Sequence, residues 1–450
     1  MSKRGNFGSK LGIVLATAGS AVGLGNIWRF PYMTGQNGGA AFLLMYVACI
    51  LLLGVPGMIS EFIVGRHAQA NAARAYDKLS DGRPWRFVGY LGILTSTIIF
   101  GFYAVVAGWC LDYLFESVKG QVLGDANYIK DSFAEFSNDS LYPVFCGIFF
   151  ILLTHIVVIR GVRQGIERAS KWLMPILLVL LVVLVIASCS LPGAIEGVKF
   201  LLRPDFSKID NHVMLEALGQ AFFSLSLGTA CLCTYASYFS RETNLLHSAG
   251  QIALLDTLIA VLSGLLIFPA AAAVGIGADS GPSLIFITLP NVFQQAFGSI
   301  PALAYIVSVM FYALLVFAAL TSTISMHEIG TAFFTEEFRL PRRKAAWIVS
   351  IAAAVICLLC SWSVGAFKIE VLGYSLMDFC DQLTANIMLP LGGMLACLFV
   401  GWYIPKQVAF EEFTNGGKHN LRFYRLYLFA VRYVCPICIL LIFLHQLGIL

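Results

Sequence analysis

Charged residues are scarce in this chain: Asp, Glu, Lys and Arg together make up only 12% of its 450 residues. Hydrophobic residues make up 59%, and the mean hydropathy is +0.82. A soluble domain needs polar groups to cover its surface, and this chain has too few of them. The composition therefore excludes a soluble protein and indicates one that lies in a lipid bilayer. The net charge of +4 is accordingly no sign of nucleic-acid binding.

Motifs of several other function classes are also missing. The sequence has no HExxH and no GxSxG pattern, and its 7 His are scattered, so nothing supports an enzyme. The 12 Cys lie mostly in apolar runs without metal-ligand or disulfide spacing, as small buried hydrophobes do. The sequence also has no repeated pore-lining pattern of the kind that would indicate a ligand-gated channel. The apolar run after Lys10 continues into Trp28, too far for a signal peptide, so we expect the first helix to stay in the mature protein.

Long apolar segments dominate what is present. A helix needs about 20 apolar residues to cross a bilayer. The predicted spans are 11–36, 40–65, 87–117, 142–159, 172–191, 212–238, 250–275, 300–334, 344–361, 372–401 and 423–445. The segment 281–297 is interrupted by proline, so we predict that it forms a helical loop over one face rather than a span.

Lys and Arg are concentrated in alternate loops between the spans. If the N-terminus is inside, the inner loops contain most of the 29 basic residues, in the ranges 3–10, 66–86, 160–171, 241, 339–344 and 406–425. The outer loops contain only Lys119, Lys130, Lys199, Arg203, Lys208 and Lys368. Positive charge favours the cytoplasmic side. We therefore expect a cytoplasmic N-terminus and, after eleven spans, a C-terminus outside.

Small and polar residues interrupt two of the spans. Span 1 has glycines at 19, 23 and 25 with Ser20 and Asn26 beside them, and span 6 has Ser224, Gly228 and Thr229. One such stretch is equally typical of close helix packing. Two of them, five spans apart, favour the broken helices of a transporter whose spans 1–5 and 6–10 are inverted repeats. Broken helices free carbonyl groups for a cation and present helix N-termini to a carboxylate.

The residues around these breaks resemble the neurotransmitter:sodium symporter family. GLGNIWRFP at 23–31 and NGGAAF at 37–42 are similar to its first helix. QAFFSLS at 220–226 and TYASY at 234–238 are similar to its sixth, and ALTS at 319–322 to its eighth. The resemblance implies an all-α membrane protein with the LeuT-type fold, a 5+5 inverted repeat with broken helices 1 and 6 plus an eleventh helix. A single domain would cover 1–445, with repeats at about 11–191 and 212–401 and the extra helix at about 423–445.

The resemblance also implies two sodium sites. The residues matching the first site are Ala21, Asn26, Ser224 and Asp256. A substrate carboxylate is expected to complete this site, which would couple the binding of ion and substrate. The residues matching the second site are Gly19, Val22, Ala318, Thr321 and Ser322. Taken alone, the two hydroxyls of the second set are better explained by bonds to the backbone within one helix, but the surrounding motif favours the sodium site.

Asp256 departs from the pattern of many family members, which have Asn there, while animal members hold a chloride nearby. Tyr46, Gln220 and Ser224 match the other chloride-contacting positions. A carboxylate within an apolar span is costly and indicates function. We predict that it replaces chloride. The alternative is that Asp256 is only a stronger sodium ligand than Asn.

The resemblance places the substrate pocket among residues of spans 1, 3, 6 and 8. They are Ser20, Ala21, Leu24, Gly25, Ile99, Tyr103, Phe223, Ser224, Ser226, Thr229, Ser322 and Met326. Tyr103 would bond the substrate carboxylate and Phe223 would cover it. Monoamine carriers have Asp where Gly23 stands, so its absence favours a zwitterionic amino acid. Thr229 and Met326 leave room for a large apolar or aromatic side chain.

Two gates follow from the same matching. Arg29 and Asp378 would pair outside the pocket, although Arg29 alone could merely extend towards the interface. Arg4 and Glu336 would pair inside, with Tyr238 beside them.

Together these features predict a symporter in the cell (inner) membrane that imports a neutral, hydrophobic or aromatic L-amino acid with Na⁺ by alternating access, without chloride. The alternative is a proton-coupled amino-acid carrier of the same fold, with Asp256 titrating. The expected partners are the bilayer and a small amino acid, not nucleic acid. Monomer and dimer are both compatible with the sequence.

Overall fold

The computed structural model describes residues 6–275, 284–419 and 421–446, and the regular structure within them is almost entirely helical. Nine unbroken helices in these ranges are long and apolar enough to cross a membrane. They are Ala40–Ala68, Arg86–Val118, Tyr142–Ile159, Val162–Cys189, Leu245–Val274, Pro301–Glu337, Arg342–Val364, Leu376–Tyr403 and Leu421–His445. The only strands described are Glu370–Val371 and Tyr374–Ser375, which pair as an antiparallel hairpin.

Both predicted breaks are present. Span 1 consists of Lys10–Ala21 and Gly25–Gln36, which meet at a bend of 57°. The residues of span 6 form two shorter helices, Asn211–Ser224 and Cys231–Ala236. If the spans are numbered as in the prediction from the sequence, the nine unbroken helices are spans 2–5 and 7–11. Each of the eleven predicted spans overlaps one unbroken helix or one broken span.

Shorter elements connect the spans. They are the helices Ala72–Leu79, Ala126–Asn138, Ala194–Leu202, Leu284–Phe297 and Lys406–Thr414, and the 3₁₀ turn Phe206–Lys208. The predicted helical loop at 281–297 is thus helical from Leu284, and its first residues lie outside the described ranges. Span 5 begins at Val162, earlier than the predicted 172, because a π-helical turn, Val162–Glu167, continues directly into the apolar helix.

The two broken spans lie inside the bundle. The first half of span 1 packs against spans 5, 7 and 8, and the two halves of span 6 pack against span 2. Large apolar side chains such as Leu51, Val179, Leu254 and Ile351 are exposed on the outside of the bundle. These outward faces suit hydrocarbon and leave the polar breaks enclosed by protein, where irregular backbone can persist in a membrane.

Candidate ion and substrate site

The break in span 6 is held by a carboxylate from span 2. Glu61 accepts hydrogen bonds from the backbone N–H of Gly228 at 2.7 Å and of Cys233 at 3.3 Å. Gly228 has φ +83°, and a Cβ there would lie 2.3 Å from the carbonyl oxygen of Leu389, so only glycine fits. Ser226, also left-handed at φ 53°, completes the turn. Sequence analysis missed Glu61, although a lone carboxylate in an apolar span was the available signal.

The break in span 1 is stabilised by side chains in the same way. Val22 is extended and ends the first half-helix. The N–H of Gly23 donates to Asn26 Oδ1 at 3.1 Å, and the N–H of Leu24 donates to the Tyr103 hydroxyl at 3.0 Å. Because side chains satisfy these amides, the break is compatible with its buried position.

Three of the residues predicted for the first sodium site meet between the two breaks. Asn26 Nδ2 donates to Asp256 Oδ1 at 2.8 Å and to the Ser224 hydroxyl at 3.2 Å. The Ser224 hydroxyl donates to Asp256 Oδ2 at 2.8 Å. Tyr46 donates to Ser224 and to Asp256, both at 3.1 Å. Asp256 is fully buried. The groups that donate hydrogen bonds to its carboxylate, the Asn26 amide and the Ser224 and Tyr46 hydroxyls, are all neutral.

Gln220 lies one helical turn before Ser224 and is also buried. Neither its amide oxygen nor its amide nitrogen has a hydrogen-bond partner among the described residues. A buried amide without partners is costly. The protein alone therefore leaves the hydrogen-bonding groups of Gln220 in this polar cluster without partners among the described residues. Ala21, the fourth predicted ligand, ends the first half-helix of span 1.

The residues predicted for the second sodium site also come together. The Ser322 hydroxyl donates to the Val22 carbonyl at 3.2 Å, and Thr321 reaches the same carbonyl at 3.5 Å. Thr321 also donates within its helix to Ala318 at 2.9 Å. A Cβ added to Gly19 would lie 3.3 Å from Thr321 Cβ. The hydroxyls of span 8 thus face the end of the first half-helix of span 1, as well as their own backbone.

Several residues predicted for the pocket lie beside these two groups of oxygen atoms. Tyr103, which holds the Leu24 amide, also hydrogen-bonds Ser322. The Phe223 ring covers Gly25, since a Cβ there would lie 3.1 Å from it. A Cβ on Gly23 would meet the Ser322 hydroxyl at 2.5 Å. There is accordingly no room for a larger side chain at position 23.

Four further residues of the predicted pocket, Ser226, Thr229, Ile99 and Met326, belong to spans 3, 6 and 8. Ser226 donates to the Ser20 carbonyl at 3.3 Å and links the breaks directly. Thr229 donates to the Ser226 carbonyl at 2.7 Å. Ile99 and Met326 lie four residues from Tyr103 and Ser322 on their helices, so each shares a helix face with a pocket residue.

The outer gate differs in detail from the prediction. The Arg29 guanidinium lies over the Phe223 ring, 4.1 Å from its centroid. Asp378 is exposed and bonds Ser375 at 2.7 Å, within the first turn of span 10. Arg29 and Asp378 do not form an ion pair in this conformation of the described residues. Asp381, one turn further along, is near enough to Arg29 for an electrostatic interaction between the two charges, but the two side chains form no ion pair within 4 Å among the described residues.

The predicted inner gate lies partly outside the described residues, because Arg4 is not among them. Its predicted partner Glu336 accepts a hydrogen bond from the Asn71 N–H at 2.7 Å. Tyr238 donates to Glu328 at 2.7 Å, and Arg342 pairs with Glu328 at 2.5 Å. Glu328 is completely buried in span 8. As with Glu61, the missed signal was an acidic residue within an apolar span.

Comparison with known proteins matches this architecture to one family. The model of the sodium:neurotransmitter symporter family matches residues 4–136 and 143–449. The chain belongs to this family. Its fold is the LeuT-type 5+5 inverted repeat with broken helices 1 and 6, and it is a sodium-dependent symporter rather than an enzyme.

Individual relatives cover nearly the whole chain. An uncharacterized sodium-dependent transporter of Bacillus subtilis, YhdH, is 38% identical over 446 residues, which are 98% of this chain and 97% of the relative. The sodium-dependent serotonin transporter of Drosophila melanogaster is 25% identical over 494 residues, covering 99% of this chain and 76% of the relative. Among solved structures, MhsT in complex with L-phenylalanine matches with a TM-score of 0.89 and 40% identity, covering 98% of this chain and all of MhsT. The chain is therefore a multi-pass membrane protein that carries a small molecule with sodium.

Proposed function

We propose that this symporter imports a neutral, hydrophobic or aromatic L-amino acid, with the substrate carboxylate and one Na⁺ sharing the cluster of Asn26, Ser224 and Asp256. One observation carries the proposal: oxygen-bearing side chains of spans 1, 6 and 7 converge at both helix breaks. A Na⁺ ion bound there would depend on the position of both half-helices. A substrate held by the same half-helices would therefore bind together with the ion.

The donor set suits a hard cation. Na⁺ needs oxygen ligands, and the cluster offers a carboxylate, a hydroxyl and an amide. In the structure the amide nitrogen of Asn26 faces Asp256. A half-turn of this amide would direct its oxygen to the ion in place of its nitrogen and would release the Gly23 N–H, which now donates to that oxygen. Asp256 supplies the negative charge that a dehydrated cation requires in a buried site.

We place a second Na⁺ where Thr321 and Ser322 face the Val22 carbonyl. The hydroxyl protons that now point to this carbonyl would rotate away, because Na⁺ would accept lone pairs from hydroxyls and carbonyl alike. The Gly19 and Ala318 carbonyls would complete the set. Stabilising the end of the first half-helix in this way would favour the closed form of the pocket.

The substrate assignment rests on charge and space around Gly23. A monoamine without its own carboxylate would need an acidic side chain near its ammonium group, and position 23 has no room for one. Tyr103 lies beside the Leu24 amide and is placed to donate to a substrate carboxylate. The bound L-phenylalanine in MhsT, at 40% identity, supports an aromatic or other large apolar side chain.

We further propose that the chain lies in the cell (inner) membrane with its N-terminus cytoplasmic and its C-terminus outside, and that transport does not require chloride. The orientation is supported by the distribution of Lys and Arg between the loops. Chloride independence is supported by the buried Asp256 carboxylate, which provides a fixed negative charge beside the proposed ion.

The substrate class can be tested with purified protein and one radiolabelled amino acid. Unlabelled competitors covering the twenty amino acids, phenylethylamine and serotonin would be compared in NaCl and in KCl. We expect competition by large neutral amino acids, none by the amines, and none of this binding in KCl. Effective competition by either amine would refute the amino-acid assignment.

A further inference from the structure

A second cluster of potential metal ligands lies apart from the site, where the first turn of Asn211–Ser224 meets the end of span 11. It consists of His212, Glu216 and His445. His212 Nε2 lies 3.9 Å from Glu216 Oε1, and the rings of His212 and His445 have centroids 5.6 Å apart. One ligand atom from each of the three residues lies within 4.8 Å of the other two.

This donor set is that of a zinc site. Two imidazoles and a carboxylate bind Zn²⁺ with bonds of about 2.0–2.2 Å in a tetrahedron, which places ligand atoms about 3.3 Å apart. The side chains of His212 and Glu216 are 63% and 30% exposed, so small rotations can close the remaining distance without moving the backbone. Three protein ligands leave the fourth position to water.

Simpler explanations cover only part of the arrangement. A His and a Glu four residues apart on a helix often pair through charge alone. That pairing of His212 with Glu216 does not explain why the imidazole of His445, from another span, packs against the imidazole of His212. Two imidazoles in contact are a poor arrangement when both are protonated, whereas a divalent metal binds both in their neutral form.

We propose that His212, Glu216 and His445 form a Zn²⁺ site that ties the first half of span 6 to span 11. The half-helix that begins beside His212 ends at Phe223 and Ser224, in the ion and substrate site. A bound metal would hold this half-helix against a span that lies outside the two repeats. Zn²⁺ would therefore slow the transport cycle. This consequence rests on the proposed function, whereas metal binding does not.

Binding is tested on the purified full chain without a polyhistidine tag. Titration with Zn²⁺, and with Co²⁺ as a spectroscopic probe, should show one site and the intense visible absorption of tetrahedral Co²⁺. H212A, E216Q and H445A should each weaken binding at least ten-fold. H247A, which removes an exposed His elsewhere, should bind as wild type does. Equal binding by wild type and H445A would overturn the site.

The effect on transport is measured in proteoliposomes with Zn²⁺ on the side of the His cluster. We expect uptake by wild type to fall at least three-fold at saturating Zn²⁺ and uptake by H445A to be unaffected. Undiminished uptake by wild type with Zn²⁺ bound would refute the regulatory role. Loss of uptake in every condition would count against the proposed substrate instead, and the titration would still report on the metal.

Discussion

The Asn26 amide nitrogen lies 2.8 Å from the Asp256 carboxylate, although 230 residues separate the two in the chain. This contact joins the broken part of span 1 to the middle of span 7, with Ser224 of span 6 bonded to both residues. An ion that entered here would contact three spans at once. Binding of the ion would therefore depend on the positions of both breaks. Coupling between ion binding and substrate binding requires this dependence.

The first prediction concerns chloride. Wild type should transport equally well when gluconate replaces chloride at constant Na⁺, because Asp256 provides the local negative charge. Asp256→Asn removes that charge while preserving the shape of the side chain. Uptake by this variant should fall at least ten-fold in gluconate and recover in part when chloride is added. Chloride-dependent uptake by the wild type would show that the carboxylate does not have this role.

The second prediction concerns the space at Gly23. A Cβ at this position lies 2.5 Å from the Ser322 hydroxyl and 3.0 Å from the Tyr103 hydroxyl. Overpacking costs about 1–3 kcal/mol, so Gly23→Ala should weaken substrate binding about five-fold or more. Gly250→Ala is the matched control, since a Cβ there meets nothing within 4 Å. Equal affinities of the two variants, measured by scintillation proximity, would show that the pocket does not extend to Gly23.

The third prediction separates two partners for Arg29. Arg29→Ala should impair transport more than substrate binding, because the guanidinium covers the Phe223 ring rather than the substrate. Asp381→Asn should reduce uptake several-fold more than Asp378→Asn, since Asp378 is bonded to Ser375 whereas Asp381 is near enough to Arg29 for their charges to interact. A larger effect of Asp378→Asn would favour the pairing of Arg29 with Asp378 that the sequence predicts. Transport by Arg29→Ala at the wild-type rate would show that Arg29 is not part of a gate.

The fourth prediction concerns the ion pair between the buried Glu328 and Arg342, whose side chain is 25% exposed. Glu328→Gln leaves Arg342 without its counter-charge. Breaking a fully buried pair costs about 3–5 kcal/mol, and the partial exposure of Arg342 lowers that cost. We expect a clearly lower melting temperature in detergent. The double variant Glu328→Gln with Arg342→Met should recover part of the loss, because no buried charge remains. If the double variant were as unstable as the two single losses added together, the two side chains would not act as a pair.

The fifth prediction concerns pH and Glu412, in the helix between spans 10 and 11. Burial opposes its ionisation, but hydrogen bonds from His67 and Arg66 outweigh burial and hold the pKa of Glu412 below its usual value. Its contribution to stability is therefore complete above the ordinary glutamate pKa, about 4.3, and is lost as the pH falls through the lowered pKa. Arg241 also pairs with this carboxylate, at 2.9 Å.

Glu412→Gln provides the comparison. Melting temperatures of wild type and variant should differ most near neutral pH and converge as the pH falls below about 4. A constant difference over the whole range would mean that the charge of Glu412 contributes nothing and that only its shape matters.

The sequence motifs were sufficient to locate both breaks and to group the residues that the structure brings together, such as Asn26 with Asp256 and Val22 with Ser322. These residues belong to ordered motifs in single spans, so matching them required no knowledge of distant contacts. The contacts of Glu61 and Glu328 were not predictable for the opposite reason, although both residues are acidic side chains in apolar spans. The backbone amide that Glu61 bonds belongs to Gly228, 167 residues away, and no local pattern predicts that contact.

Which carboxylate of span 10 acts with Arg29 is not predictable from the motifs for a similar reason. Asp378 and Asp381 are one helical turn apart, so the choice between them depends on the exact rotation of span 10. Rotation of a helix is set by packing with its neighbours, which a motif does not record. Span 5 shows the same limit at its start, where the π-helical turn extends the helix beyond the apolar run that was used to predict it.

The most direct test of the account compares L-phenylalanine with phenylethylamine, the same molecule without its carboxylate, for binding to purified wild type in NaCl and in KCl at constant ionic strength and pH. If the carboxylate and Na⁺ share the cluster at Asn26 and Asp256, only the amino acid binds, and only in NaCl. Equal affinity for L-phenylalanine in the two salts would contradict this shared site. Binding of phenylethylamine in NaCl with the affinity of L-phenylalanine would contradict it as well.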